Sequence, residues 1–411
     1  MTAESTIDIR QSTFALTPVR AWDWLANWRC ALMAVLLLAA VVRLANLDHN
    51  SLTHAEAARV NAAWSTTWNN ARWFPPAQYA LLWIVRHATS GSEFAMRLPS
   101  VLAGVACVGA VFLLTRRYFG PWAGVCAAAL TGVHAELVEH SRIVKEFSME
   151  TLVSTLIFWA GVEACRSRSA RALKWFTMAA MAGACLTYTW SLIVAGWIPV
   201  IAWAYWGGAK DQESHVSSPG LGVGGPRRLK PLLRCGAVIA VVFALWYLWF
   251  FDCHNRQGAG HDYGVIRGAW PQSYQCGVLA RWFVDQSYAV LQFVLGIGDL
   301  YSPINWLIGG YLILLGAAAW REVRRQAPAL LVALVSVILV TALAGAIRAW
   351  PYGRFHTVIF LVPPTCVVCG VGLKVLIERI RLPLPVLALI AVCVLNPAAR
   401  AVKNTAVYPN E

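Results

Sequence analysis

The stretch "LPSVLAGVACVGAVFLLTRRYFGPWAGVCAAALTGVHAELVEHSRIVKEFSME", Leu98 to Glu150, holds two apolar runs, a short basic link and a charged junction. Each run, Leu98–Thr115 and Trp122–Val138, approaches the roughly 20 residues that carry a helix across about 30 Å of hydrocarbon. A helix satisfies every backbone group internally, which lipid demands. Arg116 and Arg117 join the runs, and the second leads into Glu136, Glu139, His140, Arg142, Lys145, Glu146 and Glu150. This pattern predicts an all-α membrane protein with a polar junction at one membrane face.

Outward from this stretch, nine more runs fit: Cys30–Leu47, Met149–Cys165, Leu173–Tyr188, Thr189–Trp206, Leu233–Phe251, Ile304–Trp320, Ala327–Ile347, Thr357–Leu373 and Pro383–Leu395. About 11 spans are therefore expected. The residues from Leu173 to Trp206 are many for one crossing and few for two. Pro75–Thr89 is apolar but short and carries Gln78, Arg86 and His87, so it is read as a helix lying on the membrane surface. With that choice, 20 of the 34 Lys and Arg fall in short segments on the N-terminal side, which the positive-inside rule assigns to the cytoplasm. The C-terminus then lies outside. Counting Pro75–Thr89 as a span would reverse Arg116 and Arg117.

This layout gives a cytoplasmic tail over residues 1–29 and a membrane module over 30–206 with an external loop at 48–97. A Gly/Ser/Pro-rich cytoplasmic loop follows at 207–234, then a C-terminal helical part, 235–411, with a second external loop at 252–303. Hydrophobic residues make up 58% of the 411-residue chain and charged residues 13%, so lipid is its main solvent. The net charge of +14 is spread between the spans, which favours anionic headgroups and a phosphorylated ligand over nucleic acid. The 21 Trp suit the headgroup boundary. Most of the 11 Cys lie in apolar runs, but Cys253 and Cys276 fall in the second external loop and are the pair to test for a disulfide.

Ionisable clusters at span ends are functional candidates by default. Three share the outer face: the junction above, "LTHAEAARV" with His54, Glu56 and Arg59, and "IRAWPYGRFH" with Arg348, Tyr352, Arg354 and His356. They suit group transfer from a lipid phosphate, in which cations hold the leaving phosphate and a carboxylate takes the acceptor's proton. Arg142, Lys145 and Arg354 supply the first part and Glu56 the second. The competing reading is interfacial charge that snorkels and pairs with itself. His54 and His140 lack an HxxH or HExxH spacing, so no metal ligand set is assigned and a divalent metal has weak support. No P-loop, Rossmann glycine pattern or nucleophile elbow is present, and no cofactor is implied.

These clusters resemble the signature positions of the C-type (GT-C) integral-membrane glycosyltransferases, the bacterial relatives of dolichyl-phosphate-mannose protein mannosyltransferases and lipid A aminoarabinose transferases. "HAEA", His54 to Ala57, stands where the family has a "HDEA"-like element, and "FPPAQYALLW" resembles its surface helix. "SEFAMRLPS" and "TRRYFG" match a further stretch, "HSRIVKEFSMETL" is similar to "YSAEVKPYSLDLL", and "WPYGRFHTVIFLVPP" to a late element. The resemblance implies a bacterial inner-membrane enzyme using a polyprenyl-phosphate-linked sugar and a lipid, glycan or protein acceptor. It implies roles for Glu56 in catalysis and for Lys145 and Arg354 on the donor phosphate; His54 is expected beside Glu56, Arg142 on the phosphate, and Glu150, Arg59, Tyr352 and His356 on the substrate. Ala55 and Ile143 stand where the family usually has carboxylates. Either Glu56 is the base, or the chain is a non-catalytic subunit or scaffold.

Overall fold

The computed structural model describes residues 27–45, 47, 52–64, 75–89, 91–213, 225–256, 271, 273–295, 303–347, 349–350, 352 and 355–380. The described residues are helical with no strand. In chain order the helices are α1 (Trp28–Leu44), α2 (His54–Trp64), α3 (Pro76–Thr89), α4 (Glu93–Phe119), α5 (Pro121–Val133), α6 (Ala135–Ser141) and α7 (Phe147–Ser167). They continue with α8 (Ala170–Leu186), α9 (Trp190–Glu213), α10 (Gly225–Arg256), α11 (Cys276–Val294), α12 (Pro303–Gln326), α13 (Pro328–Ala346), a 3₁₀ turn (Phe355–Leu361) and α14 (Val362–Ile380).

Ten of the eleven apolar runs coincide with helices, and Pro383–Leu395 lies outside the described residues. Among the described residues, four helical stretches are long and apolar enough to cross a membrane: Glu93–Phe119, Lys230–Leu248, Pro328–Ala346 and Thr357–Arg379. Three expectations are revised. The run Trp122–Val138 is not one helix, because the chain turns at His134 (φ −59°, ψ 119°) between α5 and α6. The stretch expected as a loop from Gly207 to Arg234 is entered by α9 as far as Glu213 and left by α10 from Gly225. The stretch expected as the second external loop contains α11, whose Arg281 and Asp285 interrupt the apolar run and hid it.

α4 sets the long axis. Ser92 caps it by accepting the Ala95 N–H, Glu93 occupies its first turn, and Arg116 and Arg117 its last, each sign opposite to the helix pole it meets. It stops at Gly120, whose φ of 89° only glycine adopts without strain, and Pro121 opens α5. Its 27 residues give a rod of about 40 Å. α4 packs on α5 and α7, α7 on α8 and α9, and α14 between α5 and α12. The core between α7, α8 and α9 is aromatic: Trp197 meets Phe158 edge-on at 5.5 Å, and Trp190 is likewise buried. These two tryptophans depart from the interfacial reading, whereas Trp203, Trp206 and Trp320 are exposed.

The break at His134 is held from α1. Arg43, fully buried, donates from Nη1 to Gly132 O at 2.8 Å and to Ala39 O at 3.0 Å, taking up a carbonyl that the interrupted helix leaves over. Gly104 of α4 makes room for it, since a Cβ there would lie 2.9 Å from Arg43 Nε.

Candidate functional site

The chain from Arg142 to Glu146 forms an elbow between α6 and α7 at the end of the bundle where α4 begins. α2 lies against it through a local device. Thr53 and Glu56 form a capping box: Thr53 Oγ1 accepts the Glu56 N–H at 3.3 Å, and Glu56 Oε2 accepts the Thr53 N–H at 2.9 Å. The Thr53 hydroxyl also donates to Oε2 at 3.0 Å. Glu56 Oε1 accepts the Val144 N–H of the elbow at 2.8 Å and Arg97 Nε of α4 at 3.1 Å, and Arg97 Nη2 approaches Oε2 at 3.4 Å. Arg97 Nη1 closes the arrangement on Leu47 O at 2.6 Å.

Glu56 is wholly buried and Arg97 nearly so. Burial alone would raise the Glu56 pKa, but the Arg97 hydrogen bond and the Thr53 and Val144 N–H groups outweigh it and hold the carboxyl below its usual range. Donors from three segments fill the two oxygens, which leaves little capacity to accept a substrate proton. The geometry is that of a clamp tying the first loop to α4 and the elbow, at the residue expected from the sequence as the base.

Arg59, one turn after Glu56, reaches the same elbow. Its Nε and Nη2 meet the Glu146 carboxylate at 3.0–3.2 Å. It is engaged by an acid of the chain, contrary to its expected place on the substrate. Arg142 Nη2 donates to Ala45 O at 2.7 Å. Lys145 differs from these arginines. It is half-buried, its Nζ stands 5.4 Å from the Phe147 ring, and it makes no ion pair among the described residues. Burial and then the Arg59 charge lower its pKa, against the pull of Glu146 and Glu56.

Glu150, in the first turn of α7, is 2% exposed and its Oε1 accepts no hydrogen bond among the described residues. His140 packs on Phe147 at 4.7 Å, and Phe293 at the end of α11 lies 6.5 Å from its ring, so the second external segment reaches this end too. Tyr352, expected on the substrate, is buried instead: its hydroxyl shares a hydrogen bond with Ser287 at 3.0 Å and its ring stacks on Phe283 at 6.3 Å. Arg348 and Arg354 lie outside the described residues, as do the side chains of His54, His356 and Cys253. Cys276 is exposed at the start of α11. Among the described residues no group of three or more His, Cys, Asp or Glu is placed to hold a metal ion. Sequence reasoning passed over Arg97 and Thr53 as site builders and named Glu146 only as one charge of the junction. The T-x-x-E spacing of Thr53 and Glu56 was the one local signal available.

Residues 74–220 match the profile of the dolichyl-phosphate-mannose-protein mannosyltransferase family. The solved structure of ArnT from Cupriavidus metallidurans in the apo state is similar with a TM-score of 0.52 at 17% identity, over 85% of this chain and 60% of that one. The same protein bound to undecaprenyl phosphate matches at 0.50 and 16% identity, over 86% and 61%. The Archaeoglobus fulgidus oligosaccharyltransferase, in complex with Zn and sulfate, matches at 0.50 and 16% identity, over 93% and 54%. This chain has the GT-C fold. The GT-C chain thus spans about half to three fifths of the length of the structures it resembles. No curated protein matches it in sequence.

Proposed function

We propose that this GT-C chain transfers a sugar from a polyprenyl-phosphate donor to a lipid, glycan or protein acceptor on the outer face of a bacterial inner membrane. The observation that carries this reading is Lys145: a half-buried cation, without an ion pair among the described residues, at the membrane end where arginines and glutamates otherwise neutralise one another. A phosphate at this elbow would complete its coordination. In the step, the acceptor oxygen attacks the anomeric carbon, the bond from that carbon to the phosphate oxygen breaks, and polyprenyl phosphate leaves. Lys145, with Arg142 of the same elbow, takes the developing phosphate charge, and Arg354 of the late charged motif is assigned the same role from the sequence. Glu56 and Glu146 are engaged by arginines, so the acceptor's proton falls to Glu150, whose Oε1 has no donor among the described residues. The structural match to a protein bound to undecaprenyl phosphate supports the donor class.

A second reading, a non-catalytic GT-C subunit of a membrane assembly, rests on Ala55 and Ile143 standing in the places of carboxylates and on the enclosure of Glu56. Transfer from radiolabelled polyprenyl-phosphate sugars by the purified protein in lipid separates the two. Turnover by the wild type that Glu150→Gln abolishes and Lys145→Ala slows supports the enzyme. A silent wild type, with activity only in Ala55→Asp, establishes the subunit. Undiminished turnover in Glu150→Gln removes that residue from the mechanism.

A further inference from the structure

The end of the bundle opposite the elbow carries a second cationic site, independent of the glycosyl-transfer reading. α12 and α14 run parallel: Cys369 Sγ lies 3.9 Å from Leu312 O, and three residues further along each helix Gly372 lies against Leu315. Trp320 is therefore level with Ile377. Lys374 Nζ reaches Phe119 O at 3.4 Å, so this level is the one where α4 ends in Arg116 and Arg117. At this level Trp320, Arg321, Arg324 and Arg325 line a hollow of about 480 Å³. Their spacing of three and four residues gathers them on one flank of α12, while Ala319, Val323 and Ala327 are buried.

The three arginines are exposed and make no ion pair among the described residues. The acid of the segment, Glu322, accepts from Gln326. Arginines in a last turn oppose the helix dipole, but that effect needs no hollow and no aromatic wall. Trp320 is 55% exposed at the end of the apolar run Ile304–Trp320, the depth at which an indole rests between headgroup and hydrocarbon. Guanidinium groups pair with phosphate oxygens in a planar, two-point fashion. We infer that this hollow binds the phosphodiester headgroup of an anionic phospholipid, with Arg321, Arg324 and Arg325 on the phosphate and Trp320 on the glycerol and acyl boundary.

Native mass spectrometry of the full chain in detergent, titrated with cardiolipin, phosphatidylglycerol, phosphatidylethanolamine or soluble glycerophosphoglycerol, tests this. The wild type should retain the two anionic lipids at about a tenth or less of the phosphatidylethanolamine concentration. Each arginine near a charged lipid surface is worth about fivefold, so the double variant Arg324→Gln/Arg325→Gln should weaken anionic-lipid binding about 25-fold. The exposed Arg281→Gln on α11 should leave it unchanged. Should the double variant fail to fold, Arg321→Gln carries the same test at about fivefold. No preference for anionic lipid in the wild type, or an equal loss in Arg281→Gln, would overturn the site. Glycerophosphoglycerol binding as tightly as the whole lipid would overturn the lipid as its source.

Discussion

The two ends of α4 use arginine in opposite ways. At its start Arg97 is 4% exposed, and its guanidinium is spent on the Glu56 carboxylate and a backbone carbonyl. Past its other end, Arg321, Arg324 and Arg325 stand exposed around a hollow. A buried guanidinium must be matched by acceptors of the protein, so the elbow is first a structural joint, and Lys145, which makes no ion pair among the described residues, is the charge there that the proposed function calls on. At the far end Arg117 meets Glu163 and Lys374 meets Glu378, but Arg321, Arg324 and Arg325 make no ion pair among the described residues, and the binding inferred there rests on that charge.

The contrast is broken most forcefully at Arg97. Arg97→Ala strands a buried carboxylate and should cost about 3–5 kcal/mol, seen as a large drop in the thermal midpoint or loss of folded protein in detergent. Glu56→Gln keeps part of the hydrogen bonding and should cost about 1.5–3 kcal/mol. If Glu56 were instead a base without a clamping role, this variant would lose turnover at unchanged stability. Thr53→Ala removes one half of the capping box and should cost about 1 kcal/mol. Lys145→Ala should leave the midpoint nearly in place while weakening polyprenyl-phosphate binding about tenfold or more, the worth of one charge-assisted hydrogen bond. Arg324→Gln should shift stability by no more than about 0.5 kcal/mol.

Acid sharpens the same comparison. The Glu56 pKa is depressed in the folded protein, so the stability it contributes is present above the unfolded carboxylate value of about 4.3 and is lost as pH falls through the lower folded value. Thermal midpoints of wild type and Glu56→Gln should therefore converge as pH falls below about 4. A constant difference across that range would mean that Glu56 does not titrate with unfolding.

Helix positions and the polar end were legible in the sequence because the apolar runs, the basic links and the short surface helix are local patterns. α3, Pro76–Thr89, is a helix over almost the whole of the short apolar run read from the sequence. The pairings inside the site were not legible, since Glu56 meets Arg97 across 41 positions and Arg59 meets Glu146 across 87. Spacing groups charges along the chain but does not show which of them pair, and the pairs made by Glu56 and Arg59 are the part that only the structure supplies. The surroundings of Tyr352 were hidden for a related reason: a tyrosine in a charged motif gives no sign that Ser287 and Phe283 will meet it from a separate helix.

The clamp also sets an order of events in biosynthesis. Val144, one of the donors to Glu56, lies 88 residues later in the chain. At about 5–20 residues per second of synthesis, the elbow emerges roughly 4–18 s after Glu56. Arg97 follows Glu56 by 41 residues, so it is made about midway through that interval, and the carboxylate has its full set of donors only once the chain has reached the elbow. The clamp on the first loop therefore cannot close before α4 and α5 have been made, which makes its closing a late step in assembly of the N-terminal half.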